Sequence, residues 1–257
     1  MMRRIPMVIA WLVCLFLLIP IFIVVPMSFS TAVSFKFPPP GYSLQYYAAY
    51  FSSAEWLTAT ANSVLIGFAV MVATLLLVIP AAFGYVRYRF AGRAAVNLLL
   101  MTPLIVPHVV TALGDYGLLS RLGLVGTHLG MVLAHTVLSV PVAFLAIAAA
   151  LKGFDRNLER AAMMCGAGPL RTFWHITMPV LRPGLAVGAF FAFMQSFNEA
   201  VVAIFIAGRQ ANTLPKKMFE SVRLDSDPVL AVASTLLVGA ALVGAIFMMR
   251  GKENARG

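Results

Sequence analysis

Glu199 is the acidic residue that lies deepest within a long apolar run, in the stretch Gln195-Ser196-Phe197-Asn198-Glu199. A charge inside a membrane span is costly and marks a candidate functional site. Flanked by amide and hydroxyl groups, this carboxylate can receive a cation or serve one end of a proton relay. The alternative is a hydrogen-bonded hinge between helices. His108 follows Pro103 and Pro107 in Thr-Pro-Leu-Ile-Val-Pro-His, where prolines free backbone groups as they do in helices that line cavities. Asp115 is a further acidic candidate on the same stretch, with a solvated loop residue as its alternative reading. With Asn198, these four are the substrate-pathway candidates. No nucleophile–base or acid–base pair is evident, so no catalytic residue is assigned. Cys14 and Cys165 lie in unlike surroundings, and no metal-ligand spacing is present.

A second pattern occupies residues 152–183. Asp155 or Asn157 can cap a helix through Leu158, Glu159, Arg160, Ala161, Ala162 and Met163. Gly166 and Gly168 stop it, and Pro169 can open a second short helix over 169–177. Pro179 and Pro183 are expected to end that helix before the next apolar run. Ala161 and Ala162 are small enough for another surface to approach closely. Leu158, Met163, Leu170, Phe173, Trp174 and Ile176 supply apolar contact area. The segment suits docking of a partner; the alternative is an amphipathic elbow on lipid headgroups.

Membrane-spanning helices must carry both patterns. Of 257 residues, 61% are hydrophobic and 11% charged, against about half and about a quarter in soluble domains. The apolar residues fall into runs of about twenty, the length that crosses a ~30 Å hydrocarbon core as helix. A β-barrel would show alternation instead. The fold class is therefore an all-α membrane protein, one transmembrane domain over 1–257 with about six spans: 5–27, 57–85, 94–113, 129–151, 184–207 and 229–249. The first run follows Arg3 and Arg4 and is longer than a signal-peptide core, so an uncleaved anchor is expected, bent near Pro20 and Pro26. Phe35–Gly41, with three consecutive prolines, reads as a stiff crossing strand. Ser43–Trp56 reads as a short helix at the membrane interface.

Basic residues set the orientation. Thirteen Lys and Arg fall in one set of connections and termini (Arg3, Arg4, Arg87, Arg89, Arg93, the 152–183 loop, Arg250, Lys252, Arg256) and six in the other. The positive-inside bias places both termini and the 152–183 loop in the cytoplasm. Acidic Glu220, Asp225 and Asp227 accompany four of the six in 208–228. The net charge of +10 is thereby explained by topology, and no nucleic acid partner is expected.

The 152–183 loop resembles the EAA loop of ABC-importer permeases, Glu-Ala-Ala, three residues, Gly, nine residues, Ile-x-Leu-Pro. Here Ala161-Ala162 is followed at that spacing by Gly166 and then by Ile176, Thr177, Met178 and Pro179. Arg160 stands where the pattern has Glu, with Glu159 one position earlier. Tyr85–Phe90, Leu151–Asp155, Leu214-Pro215 with Met218, and Asp227-Pro228 are similar to the spermidine/putrescine branch of PotC type.

That resemblance implies a type I ABC-importer permease fold in the bacterial inner membrane, importing a small solute such as a polyamine or related cation. Glu159, Arg160, Ala161, Ala162, Gly166, Ile176 and Pro179 would form the ATPase-coupling element. It implies as partners a second homologous permease, two ATPase subunits and a periplasmic or lipid-anchored solute-binding protein, besides membrane lipid. No cofactor is expected on this chain, and ATP and Mg would belong to the ATPase, because no GxxxxGK[ST] is present. Open alternatives are the same role with an opine, amino-acid derivative or other small solute, and an ion-gradient-driven secondary transporter using Glu199 and His108, although no inverted repeat is visible.

Overall fold

The computed structural model describes residues 4–224 and 227–253; Arg3, Asp225 and Arg256, used in the charge count, lie outside the described residues. All named elements are helical. Among the described residues, five helices are long and apolar enough to cross a membrane, and a bent pair makes six if counted as one span.

The chain forms two compact units, residues 1–58 with 217–243, and residues 59–216 with 244–257. The first holds α1 (Arg4–Ser28), α2 (Gln45–Ser52), the start of α3 (Ala54–Arg87), most of α11 (Leu214–Leu224) and most of α12 (Val229–Glu253). Side chains of α1 from Met7 to Ile19 are largely exposed apolar groups, as a lipid-facing helix requires. Residues 29–43 are not the crossing strand expected from the prolines. The chain returns on itself: Thr31 N–H donates to the Gly41 carbonyl at 3.1 Å and Ser43 N–H to that of Phe29 at 2.6 Å. These bonds fall outside the triple proline, which has no N–H to offer. A short helix is present there as α2, but it stops at Ser53, and Trp56 belongs to α3.

The second unit holds α4 (Arg93–Ile105), α5 (His108–Arg121), α6 (His128–Lys152), α7 (Asn157–Met164), α8 (Pro169–Thr172), a π-turn (Phe173–Thr177), α9 (Met178–Phe197) and α10 (Val201–Ile206). Helices α6 and α9 pack most intimately. A Cβ on Gly188 would stand 2.8 Å from Ile147, and one on Gly184 2.2 Å from the Ala150 Cβ. Phe144, Ile147, Leu151 and Leu181 fill one core with Val78 and Ala82 of α3. A second core joins Ile66 and Val70 to Met131, Leu138, Val202 and Ile206.

Two expected spans are corrected. The third, 94–113, is not one helix: α4 and α5 meet at 105°. Val106 precedes a proline and takes extended backbone (φ −75°, ψ 131°), which breaks the ladder outright. The fifth, expected over 184–207, is helical continuously from Pro169 to Phe197, so Pro179 and Pro183 do not form an exit. The π-turn changes the hydrogen-bond spacing just before Pro179, where a missing N–H costs least. This helix breaks instead at Asn198–Ala200, and 208–228, expected as a connection, contains α11.

Candidate functional site

Two acidic centres emerge in the second unit. At the first, Asp155 Oδ1 accepts the Asn157 N–H at 2.9 Å and starts α7. Gly166, at φ +87°, ends it in the left-handed conformation that glycine adopts at little cost. Gly168 is extended (φ −69°, ψ 163°) and leads into Pro169 at the head of α8. The helix–turn–helix outline expected from the sequence is present, and the second helix then merges into α9.

Glu159 projects inward from the first turn of α7. Its Oε1 accepts from Arg87 Nη2 at 2.5 Å, at the last residue of α3, and from the Thr177 hydroxyl in the π-turn. The Arg87 guanidinium lies 4.8 Å from the Phe83 ring and 5.8 Å from Phe154, favourable cation–π placements. Arg156 Nη2 donates to the Arg87 carbonyl at 3.4 Å. Burial pushes the Glu159 carboxyl up, but the Arg87 and Thr177 hydrogen bonds and the charges of Arg87 and Arg156 outweigh it. They hold its pKa below the ordinary 4.5. A small cavity of about 250 Å³ adjoins the cluster.

One residue along a helix is a rotation of about 100°, so Arg160 points elsewhere: it is exposed and donates to Asn157 Oδ1 at 3.3 Å. Ala161, Met163 and Met164 are exposed, as are Leu158, Leu170 and Trp174, whereas Ala162 is partly covered. Phe173 and Ile176, expected to add contact surface, are half-buried; the Phe173 ring lies tilted against Phe83, with centroids 5.6 Å apart. Pro179 is half-buried within α9.

The second centre lies where two helix breaks converge. Glu199, only 5% exposed, sits in the break between α9 and α10. Its Oε1 accepts the Val202 N–H at 3.0 Å, and its Oε2 lies 3.1 Å from His108 Nδ1, the first residue after the α4–α5 break. The contact is an ion pair when the imidazole is protonated. His108 is 40% exposed. Both line a cavity of about 410 Å³ with Gln195, Asn198, Met194 and Phe191. Three of the four pathway candidates thus meet. Asp115 does not line this cavity; it is half-buried on α5, with Oδ2 buried and lacking a hydrogen-bond partner among the described residues. Ser196 turns away toward α6, where its hydroxyl is 2.9 Å from Nδ1 of the fully buried His135.

Sequence reasoning missed Arg87, which it counted only as a topological charge, and Thr177. His128 is tied by a long-range contact as well. Asn62 donates to the carbonyls of Gln210 and Asn212, both at 2.9 Å, and its Oδ1 lies 3.0 Å from His128 Nε2. None of these has a local signal, since the partners lie far away along the chain.

The profile of the family described as "Binding-protein-dependent transport system inner membrane component" matches residues 75–250. The chain is 32% identical to the putrescine transport system permease protein PotI of Escherichia coli (strain K12), over 84% of this chain and 80% of that one. It is 30% identical to the spermidine/putrescine transport system permease protein PotC of Haemophilus influenzae, over 87% and 86%. In fold it is similar to a chain of a bacterial alginate ABC transporter in complex with alginate pentasaccharide-bound periplasmic protein. That match has a TM-score of 0.70 and 16% identity, and covers 96% of this chain and 91% of that one.

Proposed function

The chain belongs to the family of binding-protein-dependent transport system inner membrane components, and on that premise we propose that it carries a polyamine or related small cation across the bacterial inner membrane. It is a multi-pass permease subunit of an ABC importer. In this reading both termini and α7 are cytoplasmic. A second homologous permease completes the pathway, two separate ATPase chains hold ATP and Mg, and a solute-binding protein delivers cargo from outside. Helix α7, with exposed Arg160 and Ala161 and the turn at Gly166, is the part that the ATPase receives.

The observation that carries the substrate reading is Glu199. A carboxylate is buried at a helix break, opens on a cavity of about 410 Å³, and is held by a histidine rather than a permanent cation. A protonated amine donates up to three hydrogen bonds and can take the place of the imidazole on Oε2. The polyamine relatives support the same cargo. The test is uptake by the complete importer in liposomes. Radiolabelled putrescine or spermidine is expected to enter in an ATP-dependent manner, each competing with the other. Uptake of an opine or amino-acid derivative with no polyamine uptake would overturn the cargo assignment.

A further inference from the structure

We propose that Arg87 is a positioning residue for energy coupling. It clamps α7 to the end of α3, so that force applied to α7 moves three helices together. This inference rests on the reading that α7 docks the ATPase.

Helix α7 has only eight residues, and weak joints flank it. Gly153 follows α6 directly, and Gly166 follows α7 at φ +87°. Glycine permits a wide range of backbone angles, so a push on α7 could be absorbed by rotation at these points. Covalent linkage alone would then pass little of it to the spans. The Glu159 carboxylate bridges that gap. Through a single oxygen it joins α7 to Arg87, the last residue of α3, and to Thr177, just before α9. Thr177 is fully buried, so that end of the bridge is fixed in the packed body. The Arg87 end is fixed by Phe83 and Phe154, one a turn back on α3 and the other in the connection leaving α6. Arg156 adds a second tie to the same residue through its carbonyl. Thus the end of α3, the connection leaving α6 and the turn entering α9 converge on one charged cluster, and α7 is braced against them. Transmission requires such a contiguous element that shifts as a unit.

The geometry also accounts for the shift of the acidic residue by one position. A glutamate at 160 would point about 100° away around the helix, outward with the exposed Arg160 side chain. At 159 it meets Arg87. The acid belongs to the brace, and the exposed position beside Ala161 carries a positive charge instead.

The test uses the complete importer in liposomes, with putrescine-loaded binding protein as the stimulus. Arg87→Glu is expected to lower the ratio of stimulated to basal ATP hydrolysis by about tenfold, and solute moved per ATP in parallel, with the ATPase still bound to the membrane complex. The exchange Arg87→Glu with Glu159→Arg is expected to recover the ratio to within about threefold of the parent protein. Arg87→Lys, which keeps the charge but not the planar stacking, should fall between. An unchanged ratio in Arg87→Glu overturns the proposal. So does an exchange no better than the single variant when both complexes contain the ATPase. Should Arg87→Glu fail to assemble, Arg87→Lys and the exchange decide alone: parent-like coupling in the first or no recovery in the second overturns it. Ala161→Trp serves as the control for the premise. Stimulation that survives there removes α7 as the ATPase contact, an outcome distinct from failure of the clamp.

Discussion

Glu159 and Glu199 are two acids in one folded unit with opposite surroundings. Glu159 is the more exposed, at 14% of its side chain, yet a permanently charged guanidinium, a buried hydroxyl and two aromatic rings surround the pair. Glu199 is the more buried, at 5%, yet its partner is a histidine, 40% exposed and open to a cavity. Burial alone does not distinguish them. What separates them is whether the partner can be exchanged. Arginine cannot lose its proton, and its guanidinium plane is packed against aromatic rings; a half-exposed imidazole beside a cavity can be displaced.

The largest expected effect falls between the two centres. Gly166→Pro forces a φ near −65° where the backbone needs +87°, so stimulated ATP hydrolysis should be abolished while ATP-independent polyamine binding in the cavity persists. Loss of both together would mean that the two centres are not separable. Next in size, Glu199→Gln keeps the shape and removes the charge. Putrescine uptake should fall about tenfold or more, and uptake of an uncharged analogue much less. Equal losses would make Glu199 a hinge residue, with no role in reading charge.

The smallest effect is on stability and sharpens the Glu159 side. Glu159→Gln should cost about 1–3 kcal/mol at neutral pH, read as a lowered unfolding midpoint in detergent. Because the folded carboxyl titrates below the ordinary 4.5, its contribution is fully present above that value and lost as pH falls through the lower folded pKa. The gap between parent and variant should therefore close below about pH 4.5. A gap that persists in acid would assign the loss to packing.

Much of this was legible in the chain itself. Apolar runs identify spans because backbone polar groups in lipid have no partner but the helix. The α7–turn–α8 outline was legible because Asp155, Gly166 and Pro169 each act on the backbone within a few residues. Glu199, Asn198 and His108 were readable as candidates because polar groups stand out in apolar runs. The prolines of the third span announced a perturbed helix, but its extent, a 105° break at extended Val106, was visible only in the structure. The prolines at 179 and 183 erred the other way: a π-turn leads into Pro179, α9 runs on through Pro183, and nothing in Phe173–Thr177 announces that turn.

Sequence determined the class of the molecule, the number of apolar spans and the spacing pattern of the 152–183 segment. These depend on periodicity, length and local backbone preference. Only the tertiary structure decided which acid has which partner. Arg87 lies 72 residues from Glu159, and His108 meets Glu199 only because two broken helices bring their breaks together. Such pairings depend on helix packing, and a shift of one residue swings a side chain through about 100°. In Glu159 and Arg160 that rotation separates an internal brace from an exposed surface.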